Sequence, residues 1–174
     1  FSNGQVRLWN TLNIKALPVE MRHDKYVSSL AFSHDSKKLL TTSHDQSAKL
    51  WDCDTGACLV TFSGHTDAIH TGAISPDDQF VLTSSEDNTA RIWNSKDGQL
   101  IAKLPHDGTV LSTAFNHDGT LALTASVDNT ARLWVTATGK SYGHPMEHLG
   151  PIRNAHFHPG RELIVTGSLD STVR

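Results

Sequence analysis

The chain has 174 residues, of which 37% are hydrophobic and 19% charged, and its formal net charge is −3. These values are typical of a globular protein that leans slightly polar. No apolar run approaches the roughly 20 residues that cross a bilayer, and no secretory signal pattern is present. The 15 lysines and arginines are scattered rather than clustered, so the sequence indicates neither a membrane nor a nucleic acid as partner.

One short phrase recurs along the whole chain. "FSNGQVRLW" begins at position 1, "SHDQSAKLW" at 43, "SEDNTARIW" at 85 and "SVDNTARLW" at 126, and "SLDSTVR" begins at 168. The tryptophans at 9, 51, 93 and 134 are 42, 42 and 41 residues apart. A fixed period of this size is typical of a repeat architecture.

Each period predicts four β-strands. Turn-forming clusters such as "SPDDQ" and "NSKDG" separate segments of about six residues rich in Ile, Val, Leu, Thr, Phe and Trp, for example "FVLTS" and "ARIW". No stretch has the 3.6-residue period of an amphipathic helix. A small sheet that is apolar on both faces must stack on its neighbours. The sequence therefore predicts an all-β protein, a β-propeller of four-stranded antiparallel blades.

Four residue types keep the same spacing in every repeat. A histidine precedes a turn aspartate by 22 residues, a serine precedes that aspartate by two, and in three repeats a tryptophan follows it by six. This frame resembles that of the WD-repeat β-propellers, and the resemblance covers essentially the whole chain. The near-identity of neighbouring repeats further resembles the amplified arrays of bacterial multidomain proteins. The members of the frame are His23, Ser43, Asp45 and Trp51; His65, Ser85, Asp87 and Trp93; His106, Ser126, Asp128 and Trp134; and His148, Ser168 and Asp170.

The resemblance implies a structural network in each blade. In this family the turn aspartate accepts hydrogen bonds from the histidine and nearby backbone amides, the imidazole meets the serine hydroxyl, and that hydroxyl meets the tryptophan indole. The first copy departs most from the pattern, with Phe1 at the serine position and Asn3 at the aspartate position. The frame is thus expected to build the fold rather than to catalyse a reaction.

The resemblance also implies a partner-binding face around the central channel. Three positions per blade are expected to point there: the residues three and five after the histidine, and the residue before the turn aspartate. Unlike the frame, these positions differ from blade to blade and include types common in interface hot spots. His44, His70 and Glu86, on adjacent blades, are expected to make the face pH-sensitive. The expected partner-binding residues are Tyr26, Ser28, His44, His70, Glu86, Leu111, Val127, Arg153 and Leu169, with Ala68, Thr109 and Pro151 at the remaining positions.

Catalysis, metals and cofactors are not expected. A Ser-His-Asp trio that repeats once per blade is expected to be a buried structural network, because an active site would occur only once. His156 and His158 lie two residues apart on one strand without a third ligand nearby, which does not predict a zinc site. No nucleotide-binding glycine motif occurs, so no cofactor is expected. Cys53 and Cys58 match no zinc motif, and as free thiols they favour a cytoplasmic location.

The predicted repeats do not fill a ring. They span 1–22 (partial), 23–64, 65–105, 106–147 and 148–174 (partial), so about four are present, whereas propellers hold four to eight blades. The sequence favours a segment of a seven- or eight-bladed ring over self-assembly of two copies into eight blades or a self-closed four-bladed ring. Its predicted function is a non-catalytic scaffold that binds other proteins or peptides. The alternative is a sensor or regulatory array in a larger signalling protein that carries a kinase or nucleotide-hydrolysing domain.

Overall fold

The computed structural model describes residues 4–174, and its regular structure consists of antiparallel β-strands. The first four strands are two residues long and form one hairpin, in which β1 pairs with β4 and β2 pairs with β3. Phe1 and Asn3, the departing positions of the first copy, lie outside the described residues. The strands of this N-terminal hairpin are β1 (Gln5–Val6), β2 (Trp9–Asn10), β3 (Lys15–Ala16) and β4 (Met21–Arg22).

Three four-stranded sheets follow, and each is a meander whose strands pair in chain order. Two further strands, β17 (Ile152–Phe157) and β18 (Ile164–Ser168), begin a fourth sheet. These sheets are blades 1 to 4, and they confirm the predicted propeller architecture. Blade 1 holds β5 (Val27–Phe32), β6 (Lys38–Ser43), β7 (Ser47–Asp52) and β8 (Cys58–Ser63); blade 2 holds β9 (Ile69–Ile74), β10 (Phe80–Ser85), β11 (Thr89–Asn94) and β12 (Leu100–Pro105); blade 3 holds β13 (Val110–Phe115), β14 (Leu121–Ser126), β15 (Thr130–Val135) and β16 (Met146–Glu147).

The hydrophobic core lies between neighbouring sheets rather than within any one of them. Leu40 and Phe62 of blade 1 pack in one cluster with Val81 and Trp93 of blade 2, and equivalent clusters join blades 2 and 3, and blades 3 and 4. The second strand of each complete blade is buried on both faces except at its first residue. Both faces are buried because neighbouring sheets cover each other.

The innermost strands give the blades a common axis. The first strands of blades 1 to 4 (β5, β9, β13 and β17) contact one another in chain order. The loops between blades and the turns between each second and third strand then lie at one end of this axis, which we call the upper face. Residues 4–174 contain no helix that is long and apolar enough to cross a membrane.

Candidate partner-binding face

A hydrogen-bonded network fixes the upper face in each blade, and blade 2 shows its geometry. Nδ1 of His65 lies 2.8 Å from Oδ2 of Asp87, and Nε2 lies 2.8 Å from Oγ1 of Thr83. The indole of Trp93 donates to the same threonine oxygen at 2.9 Å. His65 enters from the loop after β8 of blade 1, so the network ties one blade to the loop that arrives from the previous blade.

The hydroxyl in this network belongs to threonine, so the sequence interpretation that placed serine there is wrong. The histidine contacts Thr41, Thr83, Thr124 and Thr166 at 2.6–2.8 Å. Trp93 pairs with Val81 across the β10–β11 hairpin, which puts Thr83 two residues along the same face and within reach of the indole. Ser85 lies two residues beyond Thr83, at about 13 Å along the strand from Val81, which is the residue paired with Trp93.

The serines belong to the same network at a different place. The hydroxyl of Ser85 donates to the carbonyl of Asp67 at 3.0 Å and accepts the backbone N–H of Asp87 at 3.1 Å. It thereby holds the turn and the incoming loop together. Ser43, Ser126 and Ser168 make the equivalent pair of bonds, donating to the loop carbonyl two residues after the histidine and accepting from the backbone N–H of the turn aspartate.

Each carboxylate oxygen of the turn aspartate accepts two hydrogen bonds, as blade 2 shows. Oδ2 of Asp87 accepts from the imidazole and from the backbone N–H of Thr66, while Oδ1 accepts from the N–H and the hydroxyl of Thr89. In blade 3, burial opposes the charge of Asp128, but hydrogen bonds led by the hydroxyl of Thr130 outweigh it and lower the pKa of Asp128 to about 2. The carboxylate therefore stays charged at neutral pH.

The histidines of blades 1 to 3 are neutral at neutral pH. Burial is the largest influence on His23, His65 and His106, and it lowers the pKa of each below 6.5 although each bonds an aspartate. A neutral imidazole with its proton on Nδ1 satisfies every partner: Nδ1–H donates to the aspartate, and Nε2 accepts from the threonine hydroxyl. Such a closed network offers neither a free nucleophile nor a free base to a substrate.

Beside the network, a β-bulge in the first strand of each blade leaves one side chain outside the regular ladder, and the exposure of that side chain differs between blades. In blade 2 the pairing passes from Ser84–Thr71 to Ser85–Ile69, so His70 has no partner in the ladder. A bulge of this kind turns the extra side chain out of the sheet. The bulge residues are Ser28, His70, Leu111 and Arg153, which are the predicted positions five residues after each histidine.

Four of the predicted face residues form one cluster across blades 1 and 2. The rings of Tyr26 and His44 meet edge to face at 5.0 Å, and those of His44 and His70 at 6.2 Å. Nε2 of His70 lies 3.2 Å from Oε1 of Glu86. We call Tyr26, His44, His70 and Glu86 the aromatic–acidic cluster. Tyr26 is 46% exposed, so the cluster is open to a partner.

The remaining predicted residues take different positions. Arg153, Val127 and Leu169 are exposed, and Leu111 is half-buried. The hydroxyl of Ser28 does not face solvent freely, because it donates to the carbonyl of Ile69 in blade 2 at 2.6 Å. Ala68 is buried, whereas Thr109 and Pro151 are half-buried.

Sequence reasoning missed two features of this face. The first is the threonine hydroxyl, which lies 18 residues after each histidine, but the serines keep an equally constant offset, so spacing does not separate the two. Leu149 is 89% exposed in the loop before blade 4, and it follows directly after the network histidine His148. Among residues 4–174, no group of three or more His, Cys, Asp or Glu side chains is placed to hold a metal ion.

Comparison with known proteins gives the same repeat structure. The model of the family described as "WD domain, G-beta repeat" matches residues 17–52, 56–94, 98–135 and 139–174. The second matched range, 56–94, contains β8 of blade 1 and β9 to β11 of blade 2. One repeat of the family model therefore covers the outer strand of one blade and the three inner strands of the next blade. This phase differs from the predicted repeats, which begin at the histidines.

Curated relatives match over part of the chain. F-box/WD repeat-containing protein 10 of Mus musculus is 39% identical over 69 residues, which are 39% of this chain and 7% of that protein. Nuclear distribution protein PAC1 of Komagataella phaffii is 32% identical over 66 residues, 36% of this chain and 13% of that protein. The matched stretch thus spans only a small fraction of the length of these relatives.

Solved structures match in fold. The crystal structure of the computationally designed Ika8 protein has a TM-score of 0.87 at 24% identity, covering 99% of this chain and 52% of that chain. That of the designed Ika4 protein has a TM-score of 0.78 at 24% identity, covering 87% and 91%. Both are designed propellers. Because the family model matches four successive repeats across most of the sequence, the chain belongs to the WD-repeat family.

Proposed function

We propose that this chain is part of a non-catalytic scaffold that binds other proteins or peptides on its upper face. The single observation that carries the proposal is that the hydrogen-bonded network is constant between blades, whereas the side chains beside it vary. The same His–Asp–Thr network recurs in four blades, whereas the bulge residues at its side differ in every blade. WD-repeat proteins in general bind other proteins and are not catalysts, which supports the same reading.

Affinity capture with matched variants tests this proposal. The immobilised chain is compared with an upper-face variant carrying Tyr26→Ala, His44→Ala and Glu86→Ala, and with a control carrying Lys96→Ala and Asp97→Ala in an exposed turn at the opposite end of blade 2. We expect specific proteins of the source cell to be lost from the upper-face variant alone. Loss from both variants, or from neither, contradicts the proposal.

A regulatory array in a larger protein is a second candidate. The observation in its favour is that the matched stretch spans 7% of the mouse relative, whose name joins an F-box to WD repeats. The kinase or nucleotide-hydrolysing domain of this candidate stays a prediction. The intact mass of the source protein tests it, because seven repeats of about 42 residues need only about 290 residues. A much larger mass supports the regulatory array, and a mass near that of the repeats contradicts it.

We also propose that a second copy can complete the fourth blade. β17 and β18 of blade 4 form a two-stranded sheet, and the strands of the N-terminal hairpin likewise pair two by two. In a complete blade the tryptophan indole donates to the network threonine, as Trp93 does to Thr83. Trp9 is 56% exposed and occupies the position in its repeat that Trp93 occupies in blade 2. Sedimentation of the chain should show a dimer that Trp9→Ala weakens, and a monomer at all concentrations contradicts this assembly.

The location is proposed as cytoplasmic. Cys53 and Cys58 are both free thiols in the structure, which favours a reducing compartment. Fluorescence microscopy of the tagged source protein tests the location, and an extracellular signal contradicts it.

A further inference from the structure

The upper face has two chemically different halves. Over blades 1 and 2 lies the aromatic–acidic cluster, which ends in the half-exposed carboxylate of Glu86. Over blades 3 and 4, the residue before each turn aspartate is instead apolar: Val127 is 37% exposed and Leu169 is 59% exposed. Leu149, in the loop beside Asp170, extends this apolar half, because its backbone N–H bonds that carboxylate at 2.9 Å.

Exposed charges make the first half negative. Asp24 and Asp67 are exposed in the loops that enter blades 1 and 2. The exposed cation among these loops is Lys25. Asp107, in the loop that enters blade 3, and the exposed Arg153 of blade 4 belong to the other half. Asp107 is 3.6 Å from Arg132, whereas the described structure gives Asp24 no ion-pair partner. A partner that covers this half therefore needs positive charge to match it.

The cluster has the groups that a guanidinium or ammonium group needs. Glu86 supplies a carboxylate, whose Oε1 lies 3.2 Å from Nε2 of His70. Tyr26 and His44 supply adjoining rings, of which tyrosine is a known partner for cations. The ring of His70 lies between the carboxylate and these rings, at 6.2 Å from His44, so charge and an aromatic surface adjoin along the cluster. A cationic side chain that binds Glu86 would therefore lie beside aromatic rings.

We propose that the upper face binds a peptide segment in which a Lys or Arg precedes or follows apolar anchor residues by a few positions. The cation is bound by the aromatic–acidic cluster over blades 1 and 2, and the anchors cover Val127, Leu149 and Leu169. This inference rests on the proposed function, because it names the partner chemistry of the same face. Two exposed leucines and a valine beside a charged half match the mixed apolar and polar character of protein-binding surfaces. Tyr26 in the cluster is of a type that is enriched among binding hot spots.

Selection from a random 12-residue peptide display library tests the proposal without a known partner. The chain is the bait, and Lys96→Ala/Asp97→Ala is the matched control bait. We expect enriched peptides to combine Lys or Arg with Leu, Ile or Phe, and to lose affinity as NaCl rises from 50 to 500 mM, since added salt screens exposed charges. Enriched peptides that are acidic, or that are insensitive to salt, overturn the proposal.

Two variants locate the binding of the best selected peptide by fluorescence polarisation. Glu86→Gln should weaken binding about three- to tenfold, and Val127→Ser/Leu169→Ser about tenfold or more, with denaturation midpoints like that of the parent. If upper-face variants weaken peptides that lack the basic and apolar signature, this inference fails while the proposed function stands. If no upper-face variant weakens any selected peptide, both fail.

Discussion

Nδ1 of His65 lies 2.8 Å from Oδ2 of Asp87, although 22 residues separate them in the sequence. The contact joins the loop that leaves blade 1 to the turn of blade 2, and blades 1, 3 and 4 contain the same pair at 2.8–3.0 Å. It fixes the loops that carry the upper face. The rigidity of this frame is what allows the side chains beside it to vary.

Loss of the threonine hydroxyl should destabilise the protein. Thr83→Val leaves Nε2 of His65 and the indole of Trp93 buried without their shared partner. We expect the free energy of unfolding to fall by about 2–4 kcal/mol, since each unsatisfied buried group costs about 1–3 kcal/mol. Urea denaturation measures this loss. Thr83→Ser keeps the hydroxyl and should cost about 1 kcal/mol or less; equal losses for both variants would contradict the assigned role.

Removal of the aspartate charge should have a comparable effect. Asp87→Asn keeps the size of the side chain, but an NH2 donor replaces one of the two carboxylate oxygens, each of which accepts two hydrogen bonds. We expect a loss of about 2–4 kcal/mol in unfolding free energy. The control is Asp54→Asn, at an exposed turn position, with an expected change within about 0.5 kcal/mol. A loss of similar size at both positions is incompatible with the network.

Stability should fall in two steps as the pH is lowered. Burial lowers the pKa of His23, His65 and His106 below 6.5, so the unfolded chain binds protons first and stability declines from about pH 6.5 downwards. Hydrogen bonds lower the pKa of Asp128 from 3.8 to about 2 in spite of its burial. Its contribution is complete above pH 3.8 and is lost as the pH falls towards 2.

Urea midpoints at pH 7.5, 5.5 and 3 measure both steps. His65→Gln removes one of the three titrating imidazoles and should flatten the first decline, while the second decline remains. A protein whose midpoint is unchanged between pH 7.5 and 5.5 would show that burial does not control these histidines.

Trp93 and Trp9 should contribute differently to stability, although they occupy the same position in their repeats. Trp93 is 2% exposed and donates to Thr83, whereas Trp9 is 56% exposed. Trp93→Phe should cost about 1–3 kcal/mol because it removes buried apolar area and a hydrogen bond. Trp9→Phe should change the stability of the monomer by less than about 0.5 kcal/mol and remove the monomer's emission component at the longest wavelength. Equal effects of the two substitutions would contradict the burial seen here.

Much of the fold followed from periodicity alone. The spacing of Trp51, Trp93 and Trp134 predicted repeating blades. The 22-residue offset supported the resemblance to the WD-repeat family, and that resemblance implied the His–Asp pairs. The choice between Thr83 and Ser85 could not be made from offsets, since both lie on the same face of β10. Strand pairing decides it, because Trp93 lies opposite Val81.

The partner-binding face was harder to predict for a different reason. Whether a side chain at a face position is free depends on the neighbouring blade. Ser28 is occupied because the carbonyl of Ile69 comes within 2.6 Å of its hydroxyl, and Ala68 is buried. Contacts between blades are long-range, so no local pattern in the sequence reveals them. The bulge at His70 likewise arises from the pairing of two strands.

Site-specific photo-cross-linking in the source cell tests the central claim most directly. A photoreactive amino acid replaces His70 on the upper face in one variant and Lys96 at the opposite end of the same blade in another. We expect the position 70 variant to yield discrete cross-linked protein adducts on irradiation and the position 96 variant to yield none. Adducts at position 96 alone, or the same adducts at both positions, would contradict the assignment of the upper face as the partner-binding surface.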